Sequence, residues 1–168
     1  MIVAGLAVVV MFWSCGNKKS GDNDNSGGNE SGGIKKPDIT VNLGDVIFDN
    51  KYTTLTYSKV EYNESLSGGT VEIWCIPDSK VSYEEEIIIV AYKDPLVING
   101  VKSEAYSVGY TQIGVGGELI ISINNYTLGE MGIAVNEIKT VQATLTMKHL
   151  TKDDVLYEKV VLFNVNLP

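Results

Sequence analysis

At 168 residues, with 44% hydrophobic and 20% charged positions, the chain has room for one core and not for two full domains. Thirteen Lys and Arg against 21 Asp and Glu leave a formal charge of −8. A summed charge of that sign repels polyphosphates, which excludes nucleic acid as a natural partner class, and the apolar content excludes wholesale disorder.

The longest charge-free apolar run comes first, over residues 2–13, with Val3, Leu6, Val8, Val9, Val10, Met11 and Phe12 interrupted by Gly5. It falls short of the ~20 residues that cross a hydrocarbon core of roughly 30 Å. It fits the ~7–15 residues of a signal-peptide hydrophobic region. Hydrophobicity collapses at Ser14, Cys15 and Gly16, followed by Asn17, Lys18 and Lys19, so a small residue precedes a cysteine where cleavage is expected. Residues 16–33, GNKKSGDNDNSGGNESGG, carry no apolar side chain and cannot offset their ordering entropy. They read as a flexible tether, holding the body roughly 20–25 Å from its attachment at 5–6 Å × √n. Asp22, Asp24, Ser26 and Gly27 follow the opening spacing of a calcium loop, but Gly33 stands where a bidentate glutamate is needed, so no metal is expected.

The short apolar stretch ending at Cys15 resembles the signal of bacterial lipoproteins. That resemblance implies that residues 1–14 are a signal peptide and that Cys15 becomes the diacylglyceryl-modified first residue of the mature chain. A soft thiolate is the nucleophile such alkylation needs. Residues 15–37 then form the lipidated tether and 38–168 the body, held at the bacterial cell membrane or envelope on its extracytoplasmic side. Two or more acyl chains, palmitate among them, anchor stably. Phe12 stands where the family usually has leucine, and no Lys or Arg precedes the run, so the true start is expected upstream of Met1.

Beyond the tether the dominant period is two. Val141, Ala143, Leu145 and Met147 alternate with polar residues over 140–148, predicting a half-buried antiparallel strand. Leu119, Ile121 and Ile123, then Val161, Phe163, Val165 and Leu167, and Val71, Ile73 and Cys75 repeat the pattern. IIIVAY at 87–92 predicts a strand covered on both faces, and 53–62 a strand with a bulge near Lys59. Turns are expected at 67–69, 77–79, 94–95, 116–117 and 152–154. Asn99-Gly100 predicts a type I′ hairpin. Only 126–131 looks helical. Seven to nine short strands in this length argue for an antiparallel sandwich, with a closed barrel as the alternative.

LVINGV, VGGELIISI, LGEMGI and IKTVQATLTM, then a DD turn before a last strand, resemble in their order a domain of unknown function carried by bacterial lipoproteins. That family implies an all-β, immunoglobulin-like antiparallel β-sandwich with one short helical turn. Glu118 follows Gly117 where the family has a lysine, and Met131 stands where a small residue is usual. The resemblance carries a fold and no activity.

Residues suited to catalysis are sparse. His149 is the single histidine, so neither a His-based triad nor a multi-histidine zinc site can be assembled, and it is expected to be exposed. Cys75 shares a face with Val71 and Ile73 and reads as a small buried apolar residue. Glu84, Glu85 and Glu86 read as charges protecting the edge of the apolar strand that follows. Of nine tyrosines, Tyr106 and Tyr110, in the glycine-containing segment before Gly116, are the candidates for a loop-borne binding surface. The expectation is a monomeric, non-catalytic binding or structural module, without cofactor or metal. Its partners would be the membrane, through the N-terminal lipid, and a protein or glycan ligand at the envelope. The rival expectations are a carbohydrate-active or other envelope hydrolase using paired carboxylates, and an accessory or inhibitory lipoprotein contacting an envelope protein.

Overall fold

The computed structural model describes residues 33–64, 68–106, 109–152 and 154–167; the apolar run, Cys15 and most of the tether lie outside them. Gly33–Pro168 form one compact unit. In chain order the strands are β1 (Ile39–Val41), β2 (Val46–Asp49), β3 (Thr53–Asn63), β4 (Thr70–Ser79), β5 (Ile87–Val90), β6 (Pro95–Ile98), β7 (Val101–Tyr106), β8 (Tyr110–Gln112) and β9 (Leu119–Asn124). A short helix α1 (Asn125–Met131) follows, then β10 (Thr140–His149) and β11 (Val155–Asn164). One sheet runs β1-β11-β10-β5-β8, with the β6–β7 hairpin also attached to β10, and the other runs β2-β3-β4-β9.

The alternating apolar residues of both sheets close one core. Val71, Ile73 and Cys75 of β4 and Leu119, Ile121 and Ile123 of β9 share it with Val141, Ala143, Leu145 and Met147 of β10 and Val161 and Phe163 of β11. Tyr57 and Phe163 meet inside it edge to face, centroids 5.2 Å apart at 86°. The buried Tyr57 hydroxyl donates to the Asn164 carbonyl at 3.2 Å. Burial, with the Cys75 thiol beside it, pushes that hydroxyl's pKa up to about 12.

The expected all-β sandwich is therefore present, and several local expectations hold. Ser58 is the extra residue of a bulge in β3, between the Tyr57–Cys75 and Lys59–Trp74 pairs. Asn99 and Gly100 both have positive φ, 51° and 79°, joining β6 to β7 as a type I′ turn requires. The helical stretch is α1, opened by the Asn124 side chain accepting from the Thr127 N–H and closed by Gly132 in the left-handed region.

Other expectations are corrected. Eleven strands occur among the described residues instead of seven to nine, because the short β1, β2, β6 and β8 complete the sheets. β1 runs parallel to β11, so the sandwich is not wholly antiparallel. The turn expected at Pro77, Asp78 and Ser79 is strand: Pro77 pairs with Leu55 and Asp78 with Thr54. β9 reaches only to Cys75, so the far edge of β4 is open at Pro77 and a missing N–H breaks no ladder bond there. β5 is paired with both β10 and β8, so the three glutamates guard no edge. Glu84 and Glu85 lie in a 3₁₀ turn (Tyr83–Glu85), while the Glu86 carbonyl accepts from the Leu150 N–H and its carboxylate from the Thr151 hydroxyl.

β10 is buried on both faces, not half-buried, since Gln142, Thr144 and Thr146 are covered too. Part of the cover is the segment just before β1. Gln142 donates to the Lys35 carbonyl at 3.0 Å, and the Lys35 ammonium reaches Asp94 at 2.9 Å. Asp94 also accepts from the Thr144 hydroxyl at 2.6 Å. Partial burial pushes the Asp94 pKa up, but the Thr144 and Lys35 hydrogen bonds and the nearby Lys35 and Lys93 charges outweigh it and hold it below the usual carboxylate range. Packing of the body thus begins a few residues before the boundary expected at 38.

Candidate functional site

Tyr106 and Tyr110 are not loop residues. Tyr106 ends β7 opposite Pro95, and Tyr110 begins β8 opposite Val90 with 66% of its surface exposed. Gly109 marks a close approach of backbone: its carbonyl accepts from the Ala91 N–H, and a Cβ there would run into the Ile120 carbonyl. His149 is half-buried at the end of β10, paired with Ile87, its Nδ1 lying 3.2 Å from the Glu85 carbonyl and its Nε2 3.9 Å from the Asp154 carboxylate. The expected exposure fails because the 3₁₀ turn packs against this end of the strand. Cys75 is fully buried, as expected, and burial pushes its thiol pKa up, keeping it protonated. Cys15 lies outside the described residues.

Paired acids do occur. Glu61 and Glu72 stand directly opposite on β3 and β4, where like charges repel. Lys59, 2.6 Å from Glu61, relieves the repulsion while its ammonium also sits 5.0 Å from the Trp74 ring centroid. Among the described residues no group of three or more His, Cys, Asp or Glu could hold a metal ion. No helix among them is long and apolar enough to cross a membrane.

A groove of about 800 Å³ lies at one end of the sandwich. Three short segments line it: the end of β3, the 3₁₀ turn before β10, and the chain after β11. Ile138 and Val165 form a buried apolar floor, with Val135 and Leu167 half-buried beside them. Glu61, Asn136, Lys139 and Asn166 supply the polar rim and Tyr62 the aromatic wall. The walls are tied together by backbone: the Val165 N–H donates to the Lys139 carbonyl at 2.8 Å. Asn99, at the tip of the β6–β7 hairpin, accepts from the Lys139 and Thr140 N–H groups at 2.8 and 3.1 Å and donates to the Glu137 carbonyl at 2.9 Å.

Tyr62 is held in place while staying 38% exposed. Asn125 donates to its hydroxyl at 2.9 Å and to the Gly68 carbonyl. A Cβ on Gly69 would collide with the ring, so the glycine makes room for it, at a φ of 84° that side chains rarely adopt. By contrast, the side chains of Asn136, Lys139 and Asn166 have no hydrogen bond or ion pair among the described residues. An apolar floor with a few unengaged polar groups over it is how a preformed ligand site is built. Sequence reasoning missed these residues; the only local signal was Asn166 flanked by inward-facing Val165 and Leu167. No family model, curated protein or solved structure matches the chain.

Proposed function

We propose that the chain is a lipid-anchored, extracytoplasmic binding module of the bacterial envelope, non-catalytic, with the end groove as its working surface. The groove carries this reading. It combines a floor of Ile138 and Val165 with three polar side chains that have no partner within the described fold. Such groups lose no internal hydrogen bond on binding a ligand. The placement at the envelope rests on the apolar run that ends at Cys15. A hydrolase would need two acids about 5–10 Å apart across a cleft. Glu61 and Glu72 are instead cross-strand neighbours, and Glu61 is engaged by Lys59.

Hydrogen exchange on the full chain, with and without a detergent extract of bacterial envelopes, tests the reading. Slower exchange at 135–139 and 165–167, with the rest of the sandwich unchanged, is the expected result. Unchanged exchange in both segments would overturn it.

A further inference from the structure

Resting on the binding-module reading, the groove's chemistry narrows its ligand. We infer that it binds a sugar carrying both an acetamido group and a carboxylate. Four observations lead there. Asn136 and Asn166 each present an amide, two donors and an acceptor, with no partner among the described residues. A planar acetamido group offers the complementary N–H and C=O. Its methyl group needs an apolar seat, and Val135, Ile138, Val165 and Leu167 line the same groove and supply one. Tyr62, pinned by Gly69 and Asn125, offers an amphipathic ring of fixed position against which the C–H face of a pyranose can pack at little entropic cost.

The fourth observation concerns charge. The groove is lined by one acid and one base, and Glu61 is already neutralised by Lys59 at 2.6 Å. Lys139 is then the one lining charge with no partner among the described residues, an isolated cation in a chain of net charge −8. A carboxylate on the ligand completes it as a charge-assisted hydrogen bond. An extended peptide is the competing occupant and fits less well. A peptide added as a strand needs free backbone groups; the Val165 and Lys139 backbones already pair, which leaves it only the edge of β3 beyond Tyr57, where β2 no longer pairs.

The acetamido–carboxylate combination has two common sources: N-acetylmuramic acid of the cell wall and N-acetylneuraminic acid of glycan termini. Saturation-transfer NMR on the full chain, in micelles of a non-glycosidic detergent, distinguishes them. The probes are the methyl glycosides of those two sugars, chitotetraose (acetamido, no carboxylate), methyl glucuronide (carboxylate, no acetamido) and a neutral hexapeptide. At least one of the first two is expected to receive saturation most strongly at its acetamido methyl, and the stronger of them names the source. Chitotetraose and methyl glucuronide should each bind about tenfold more weakly, a charged or amide hydrogen bond being lost in each case. Lys139→Gln should weaken the carboxylated sugars about tenfold while leaving chitotetraose unchanged, and Asn166→Ala should weaken every acetamido sugar. Silence at every acetamido methyl, saturation unaffected by both substitutions, or transfer to the hexapeptide alone would overturn the assignment. If the sugars stay silent while envelope extract still protects 135–139 and 165–167, the ligand class fails and the binding module stands. If protection is also absent, both fall.

Discussion

Phe163→Ala is expected to lower the unfolding free energy by about 3–5 kcal/mol, the range for truncating a fully buried aromatic ring in a core that cannot collapse around the gap. Phe163 is held on three sides. It lies in β11 between Val141 of β10 and Val41 of β1, and its ring meets Tyr57 of the opposite sheet. Alanine would remove the edge-to-face contact and open a void between sheets whose backbones are fixed by their ladders. The Tyr57 hydroxyl would keep its bond to the Asn164 carbonyl, so the edge-to-face packing is what the substitution removes. Urea unfolding of the full chain should show a lower midpoint with an unchanged slope. A loss under about 1 kcal/mol would mean that the two sheets do not meet at this residue.

Asn99→Ala should cost about 4 kcal/mol by the same measurement. The side chain makes three hydrogen bonds, to the Lys139 and Thr140 N–H groups and the Glu137 carbonyl, each worth about 1 kcal/mol net. Its φ of 51° adds strain when a residue without a short polar side chain takes its place. Asn99→Gly separates the two contributions, because glycine accepts the backbone angle and loses only the hydrogen bonds. It should therefore be the milder variant. Equal losses in both would show that the backbone angle contributes nothing at this turn.

Where the polypeptide repeats a pattern over several residues, the fold is legible. The alternations in β4, β9, β10 and β11, the apolar run of β5, the slip at Ser58 and the Asn99-Gly100 turn each announce themselves within a few positions, because period and turn chemistry are local. Pro77 misleads because its tolerance depends on where β9 stops, which is a property of another segment. β10 reads as half-buried because its outward threonines and glutamine are polar, yet Lys35 and Asp94, 107 and 50 residues away, cover Gln142 and Thr144. The glycines that make the stretch holding Tyr106 and Tyr110 look like loop sit between strands, and Gly109 among them serves the close crossing over Ile120, a contact no local pattern announces. The groove was illegible for a related reason. Tyr62, Asn136, Lys139 and Asn166 come from three segments far apart in sequence, and no local period reports that their side chains meet.

The proposed function has this sandwich working at the bacterial envelope, held there by its N-terminus. Intact-mass analysis of the polypeptide recovered from the membranes of bacteria expressing it tests that claim most directly. The predicted result is a chain that begins at Cys15 and carries the added mass of a diacylglyceryl group, absent from Cys15→Ala, which should keep residues 1–14. A full-length, unmodified chain recovered from the aqueous fraction would contradict it.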